Sequence, residues 1–120
     1  MPRDDRLYMD DILESTGRIR TYIAEMTIQQ LIADQRTMDA VVRNLEIIGE
    51  ASRNLSDEIK GRLPEIEWRK IVALRNLLAH EYFGINAAII WDIIQTKLPL
   101  LETVCRKWME LHPPPKESTG

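Results

Sequence analysis

Apolar residues recur along this chain at spacings of three, four and seven, the period of helices that bury one face. Tyr8, Ile12, Ile19, Tyr22, Ile23 and Met26 form the first stripe and predict a helix over about residues 5 to 26. Thr27 is placed to cap a short helical turn through Gln29, Leu31 and Ile32. A second stripe, Met38, Val41, Val42, Leu45, Ile48 and Ser52, predicts a long helix over about residues 36 to 54. Ser56 followed by Asp57, Glu58 and Ile59 opens another short capped helix, closed by the Gly61 to Pro64 region because Pro64 disfavours helical backbone at Leu63. From Trp68 the positions Ile71, Val72, Leu74, Leu78, Ala79 and Tyr82 return to the helical period, with Gly84 as its stop and Asn86 as the cap of the next helix. Ala87 to Leu111 is rich in Ile, Leu and Trp, but Pro99 lacks an N–H, so a kink near Lys97 or a split into two pieces is expected. No segment alternates with period two, so strands are not expected. The pattern predicts an all-α fold, an up-and-down bundle of four to five helices with short antiparallel connections.

Composition bounds this picture. A chain of 120 residues is the size of one domain, and 44% hydrophobic with 29% charged residues is a globular balance. Only the tail departs from it: residues 112–120 lack apolar periodicity and carry a proline run, so a mobile end is expected after a domain spanning residues 1–111. A net charge of -3 and a pI near 5.4 argue against binding nucleic acid by bulk electrostatics, while leaving a local basic pocket open. The single cysteine, Cys105, lies in an apolar stretch that suits a buried, reduced thiol. Neither a signal peptide nor a membrane-spanning run is legible, and a cytoplasmic location is expected.

Two histidines and one cysteine are too few soft ligands for a usual structural zinc site. Glu46, Glu50 and Asp92 sit among basic residues and suit ion pairing better than metal binding, so no metal and no cofactor are expected. No phosphate-cradling glycine loop and no nucleophile elbow occurs.

What remains is the run Arg75-Asn76-Leu77-Leu78-Ala79-His80-Glu81-Tyr82, which places an arginine, an asparagine, a histidine and a tyrosine near one helix end. Asn76 and His80 share a face, as do Arg75 and Tyr82, whereas Arg75 and His80 stand about 140° apart on an ideal helix. Three routes would bring them together: the arginine reaches around, the helix loosens at His80, or a second copy supplies the missing partner across a two-fold axis. Histidine exchanges protons near neutral pH, and the planar guanidinium suits phosphate oxygens. Together they fit metal-free attack of a ribose 2′-hydroxyl on its own phosphate, which makes RNA the substrate class. Asn76 is placed to hold the imidazole or touch phosphate; Arg43, Asn44 and Glu50 interrupt the long helix as candidates to orient Arg75, or form a solvated face. Arg69 and Lys70 are candidates for a local basic rim.

The segments Arg43-Asn44-Leu45-Glu46-Ile47-Ile48-Gly49-Glu50-Ala51, Pro64-Glu65-Ile66-Glu67-Trp68, Arg75 to Gly84, and Trp91 with Leu98-Pro99 resemble, in order and spacing, the HepT-like branch of the HEPN proteins. The resemblance covers roughly residues 5 to 108 and implies an R-x4-H-x-Y signature, carried here by Arg75, His80 and Tyr82. It implies a toxin of the toxin–antitoxin kind: a metal-independent endoribonuclease that works as a homodimer, with its site where the two signatures meet. It also implies a partner, a minimal nucleotidyltransferase antitoxin of the MntA kind, which silences the toxin by AMPylation of Tyr82. The alternative is a non-catalytic dimeric binding partner of such a nucleotidyltransferase.

Overall fold

The computed structural model describes residues 4–81 and 87–114, except for the side chains of Leu77, Ala79, His80 and Glu81. In chain order the helices are α1 (Asp5–Ile23), α2 (Ile28–Ala33), α3 (Gln35–Asn54), α4 (Asp57–Arg62), α5 (Trp68–Glu81), α6 (Ala87–Asp92) and α7 (Leu98–Leu111), with a π turn (Ile93–Lys97) joining the last two. No strand occurs among the described residues, and the expected all-α bundle is what forms. Gly84 and Asn86, expected as stop and cap, lie outside the described residues.

Caps set the boundaries, Thr27 and Ser56 as predicted and Asp34 in addition. Thr27 and Gln30 make a reciprocal capping box at α2, with Gln30 N–H donating to Thr27 Oγ1 at 3.2 Å and Thr27 N–H to Gln30 Oε1 at 2.8 Å. Asp34 ends α2 and begins α3; its carboxylate accepts from the Thr37 N–H at 3.0 Å and the Thr37 hydroxyl at 2.8 Å, which holds that carboxyl below its ordinary range. Ser56 caps α4 while its own N–H and hydroxyl donate to Asp5 at 2.9 and 2.7 Å. That contact fastens the start of α1 to the end of α3, so the two run antiparallel.

The long helix α3 is central, packing against both α1 and α5. Every member of its predicted stripe is buried: Met38, Val41, Val42, Leu45, Ile48 and Ser52. In α1 the stripe is displaced. Met9, Ile12, Thr16, Ile19 and Ile23 turn inward, whereas Tyr22 is 40% exposed and Met26 falls beyond the helix end. Tyr22 stands about 100° around the helix from Ile23, off the face that Ile12, Ile19 and Ile23 define. The same face of α1 meets α7, where Thr16 Oγ1 and the Arg20 guanidinium both reach Glu102, and Arg6 donates to the carbonyls of His112 and Pro113 at 3.3–3.4 Å. Those pairings make α1 and α7 antiparallel. The first tail residues are thus held, and the His112 ring also stacks on Trp108 at 4.5 Å.

The expected split before Pro99 occurs: α6 and α7 are two pieces, and the segment between them ends at Lys97. That segment is a π turn, in which the Leu98 N–H reaches five residues back to the Ile93 carbonyl, and the chain continues through Pro99 near the start of α7. Proline removes the N–H that an uninterrupted α-helix would aim at Gln95, and the wider turn absorbs the mismatch. Ile90 and Ile94 point inward while Ile89 is 51% exposed, so this rod is apolar on more than one side. No helix among the described residues is long and apolar enough to cross a membrane.

Cys105 is fully buried on α7, and desolvation pushes its thiol up to about 12. At neutral pH it is therefore a protonated core residue. Native protein is expected to leave Cys105 unreacted with iodoacetamide, whereas the urea-unfolded chain takes one label; mass spectrometry reads the difference, and rapid labelling of the native state would contradict this packing.

Candidate active site

Arg75 lies on the face of α5 that meets α3, and its position is set by a glycine. A Cβ built at Gly49 would stand 2.9 Å from Arg75 Cβ, 3.1 Å from Arg75 N and 3.2 Å from the Ile71 carbonyl. Helix-interior glycine costs about 0.5–1 kcal/mol relative to alanine, and here it allows backbone approach that no larger residue permits. The next residue, Glu50, pairs through Oε2 with Arg75 Nε, the two side chains being 43% and 41% exposed. Arg75 Nη1 also donates to Asn76 Oδ1 at 3.3 Å. The guanidinium is anchored on two sides, and three of its five N–H groups have no partner among the described residues. A cation held this way, yet still two-fifths open, is suited to bind an oxyanion such as phosphate.

His80 occupies the turn of α5 after Asn76, and the helix stays α-helical through it to Glu81. Its side chain, and Tyr82 altogether, lie outside the described residues. The other sequence candidates separate. Asn44 is buried at 5% exposure, donating to the Ala40 carbonyl at 2.8 Å, with no hydrogen-bond partner for its Oδ1 among the described residues. Arg43, about 100° around the helix from Asn44, is exposed. Neither forms a hydrogen bond with Arg75 among the described residues; Glu50 alone of the three meets it.

The two basic neighbours also part ways. Lys70 pairs with Glu67 at 2.7 Å, and Lys97 from the π turn pairs with the same carboxylate at 3.0 Å. The hydrogen bonds from Lys70 and then Lys97, with their charges, depress the Glu67 carboxyl to about 2. Lys70 thus helps tie the start of α5 to the π turn. Arg69 faces a different groove, lined also by Lys60 and Asn76. Gly49 is the site residue that sequence reasoning did not single out; its signal was a glycine kept in the middle of a long amphipathic helix, one residue before Glu50.

The family described as "Ribonuclease HepT-like" matches residues 12–108. Among curated relatives, a candidate RNase of Methanocaldococcus jannaschii is 42% identical over 100 residues, covering 82% of this chain and 83% of its own. A candidate ribonuclease HepT of Thermococcus cleftensis is 36% identical over 102 residues, covering 85% of this chain and 93% of its own. A candidate RNase of Caldanaerobacter subterraneus subsp. tengcongensis is 36% identical over 97 residues, covering 81% and 87%. No solved structure matches the chain significantly.

Two glycine-to-alanine changes should have opposite signs. Gly49→Ala is expected to destabilise by about 1–3 kcal/mol, the range for overpacking. Gly61→Ala, where nothing lies within 4 Å of the added Cβ, is expected to stabilise by up to about 1 kcal/mol through helix propensity. Urea denaturation of both variants checks this; a Gly49→Ala protein as stable as wild type would refute the close approach.

Proposed function

The chain belongs to the HepT-like ribonuclease family, and from that membership we propose that it is a metal-independent endoribonuclease, the toxin of a toxin–antitoxin pair, acting as a homodimer. The observation that carries this reading is the anchored Arg75 guanidinium five residues before His80 on a regular helix. Arg75 binds the scissile phosphate and stabilises the charge that develops on its oxygens. The ribose 2′-oxygen forms a bond to phosphorus as the bond to the 5′-oxygen breaks, leaving a 2′,3′-cyclic phosphate and a 5′-hydroxyl. The 2′-hydroxyl gives up its proton and the leaving 5′-oxygen gains one; His80 moves protons in this exchange, histidine being the side chain suited to proton transfer near neutral pH. Asn76, already joined to Arg75, helps hold phosphate or imidazole.

The anchoring also bears on how Arg75 and His80 meet. For Arg75 to reach around its own helix it would have to leave Glu50, and α5 is not loosened at His80. Both observations favour the two-fold route, in which the arginine of one copy meets the histidine of the other. In the proposed switch, a partner nucleotidyltransferase transfers AMP to the Tyr82 hydroxyl, releasing pyrophosphate from ATP. The added phosphate competes with substrate for Arg75.

Purified protein is expected to cleave single-stranded RNA in EDTA to cyclic-phosphate ends. His80→Ala is expected to lose at least about 100-fold in rate, the lower end for a general acid–base group, without loss of helicity by circular dichroism. Co-expression with a neighbouring nucleotidyltransferase should add AMP mass to wild type but not to Tyr82→Phe. Intact RNA after incubation with unmodified wild type would instead make the chain a non-catalytic partner of the nucleotidyltransferase.

A further inference from the structure

We propose that the groove between α4 and α5 is a second RNA subsite, which holds the backbone of nucleotides flanking the scissile phosphate; this rests on the ribonuclease reading. The groove is open, has a volume of about 500 Å³, and is lined by Asp57, Lys60, Trp68, Arg69, Val72, Ala73 and Asn76. Its α5 wall follows one helical stripe: Arg69, Val72, Ala73 and Asn76 recur at three- and four-residue spacing, and His80 is the next position in that series. Asn76 therefore belongs both to the groove and, through its bond to Arg75, to the candidate active site. A strand lying in the groove leads to the reacting centre without crossing another helix.

The lining is suited to phosphate. Arg69 is exposed and pairs with no carboxylate among the described residues. Lys60 gives one donor to the Ser52 carbonyl at 3.3 Å and lies 4.0 Å from the fully exposed Asp57 carboxylate, a loose pair that leaves ammonium donors for a ligand. Two cations face one carboxylate, a local surplus on a chain whose net charge is -3. No aromatic face is offered for stacking: Trp68 is 8% exposed and its indole N–H donates to the Leu63 carbonyl at 3.1 Å, so it serves as wall. Recognition here is of backbone charge, indifferent to base identity. At about 1.5 Å per residue, Arg69 stands some 16 Å along α5 from His80, so only strands longer than the reacting dinucleotide reach it.

The test titrates full-length protein with a fluorescein-labelled, 2′-O-methylated single strand, which lacks the nucleophile and survives. Arg69→Ala is expected to weaken binding several-fold and to lower the log–log salt slope by about 0.7, the value for one phosphate contact on a single strand. Asp57→Asn should strengthen binding. Lys70→Ala, an equal charge loss one residue away but on the Glu67 side, should leave the slope unchanged, and cleavage of a dinucleotide should be the same in all four proteins. Arg69→Ala that binds as wild type, or that falls no further than Lys70→Ala, overturns the subsite while leaving the ribonuclease reading intact. Wild type that binds the strand yet cleaves no RNA refutes the ribonuclease reading and keeps the groove as a binding site; wild type that does neither overturns both.

Discussion

The approach of α3 to α5 at Gly49 governs the geometry of the candidate site. Helices packed through ordinary side chains stay about 8–10 Å apart, and the contacts around Gly49 leave no space for even one added methyl. The apolar residues on either side, Leu45 and Ile48 on α3 with Ile71, Leu74 and Leu78 on α5, are all buried and supply the cohesion. The ion pair between Glu50 and Arg75 does not. Its side chains are more than two-fifths exposed, and pairs of that kind contribute about 0–1 kcal/mol. Its effect is directional: the carboxylate takes the Nε edge of the guanidinium and leaves other donors for a ligand. Hydrophobic packing fixes where the helix lies, and the weak polar pair fixes which way the cation faces.

This division explains what was legible in the sequence. Helix positions and caps obey local rules, so the α3 stripe, the Thr27 cap and the Ser56 cap read directly from residue order. Tyr22 misled because a tyrosine has enough apolar surface to join a stripe by composition while sitting off its centre. Proline at position 99 announced a missing donor but not its compensation; a kink, a break and a π turn all satisfy the same local rule. Glu50 is one of three candidates to orient Arg75 and the one that pairs with it; what selects it over Arg43 and Asn44 is the packing of α3 on α5, which sequence neighbours do not carry. The same holds for the split between Arg69 and Lys70. They are adjacent in sequence, but a helix turns about 100° per residue, so one faces the α4 groove and the other faces Glu67. How His80 and Tyr82 are arranged around Arg75 rests on register and family, since their side chains lie outside the described residues.

An acidic chain that acts on RNA must solve an electrostatic problem. A net charge of -3 offers no long-range steering toward a polyanion, and beyond about 8–10 Å at ordinary ionic strength individual charges are screened. Local arrangement then decides. Much of the basic surface is engaged in ion pairs within the fold: Arg18 with Glu14, Arg62 with Glu58, Arg20 and Arg106 sharing Glu102, and Lys70 and Lys97 sharing Glu67. Around α5, Arg69 pairs with no carboxylate among the described residues, and Arg75 and Lys60 keep donors beyond their pairs. On the proposed reading, RNA is held where these few charges align with successive phosphates. With so few cations, the charge of any one phosphate near Arg75, including the one in the proposed switch, is a large fraction of the local charge.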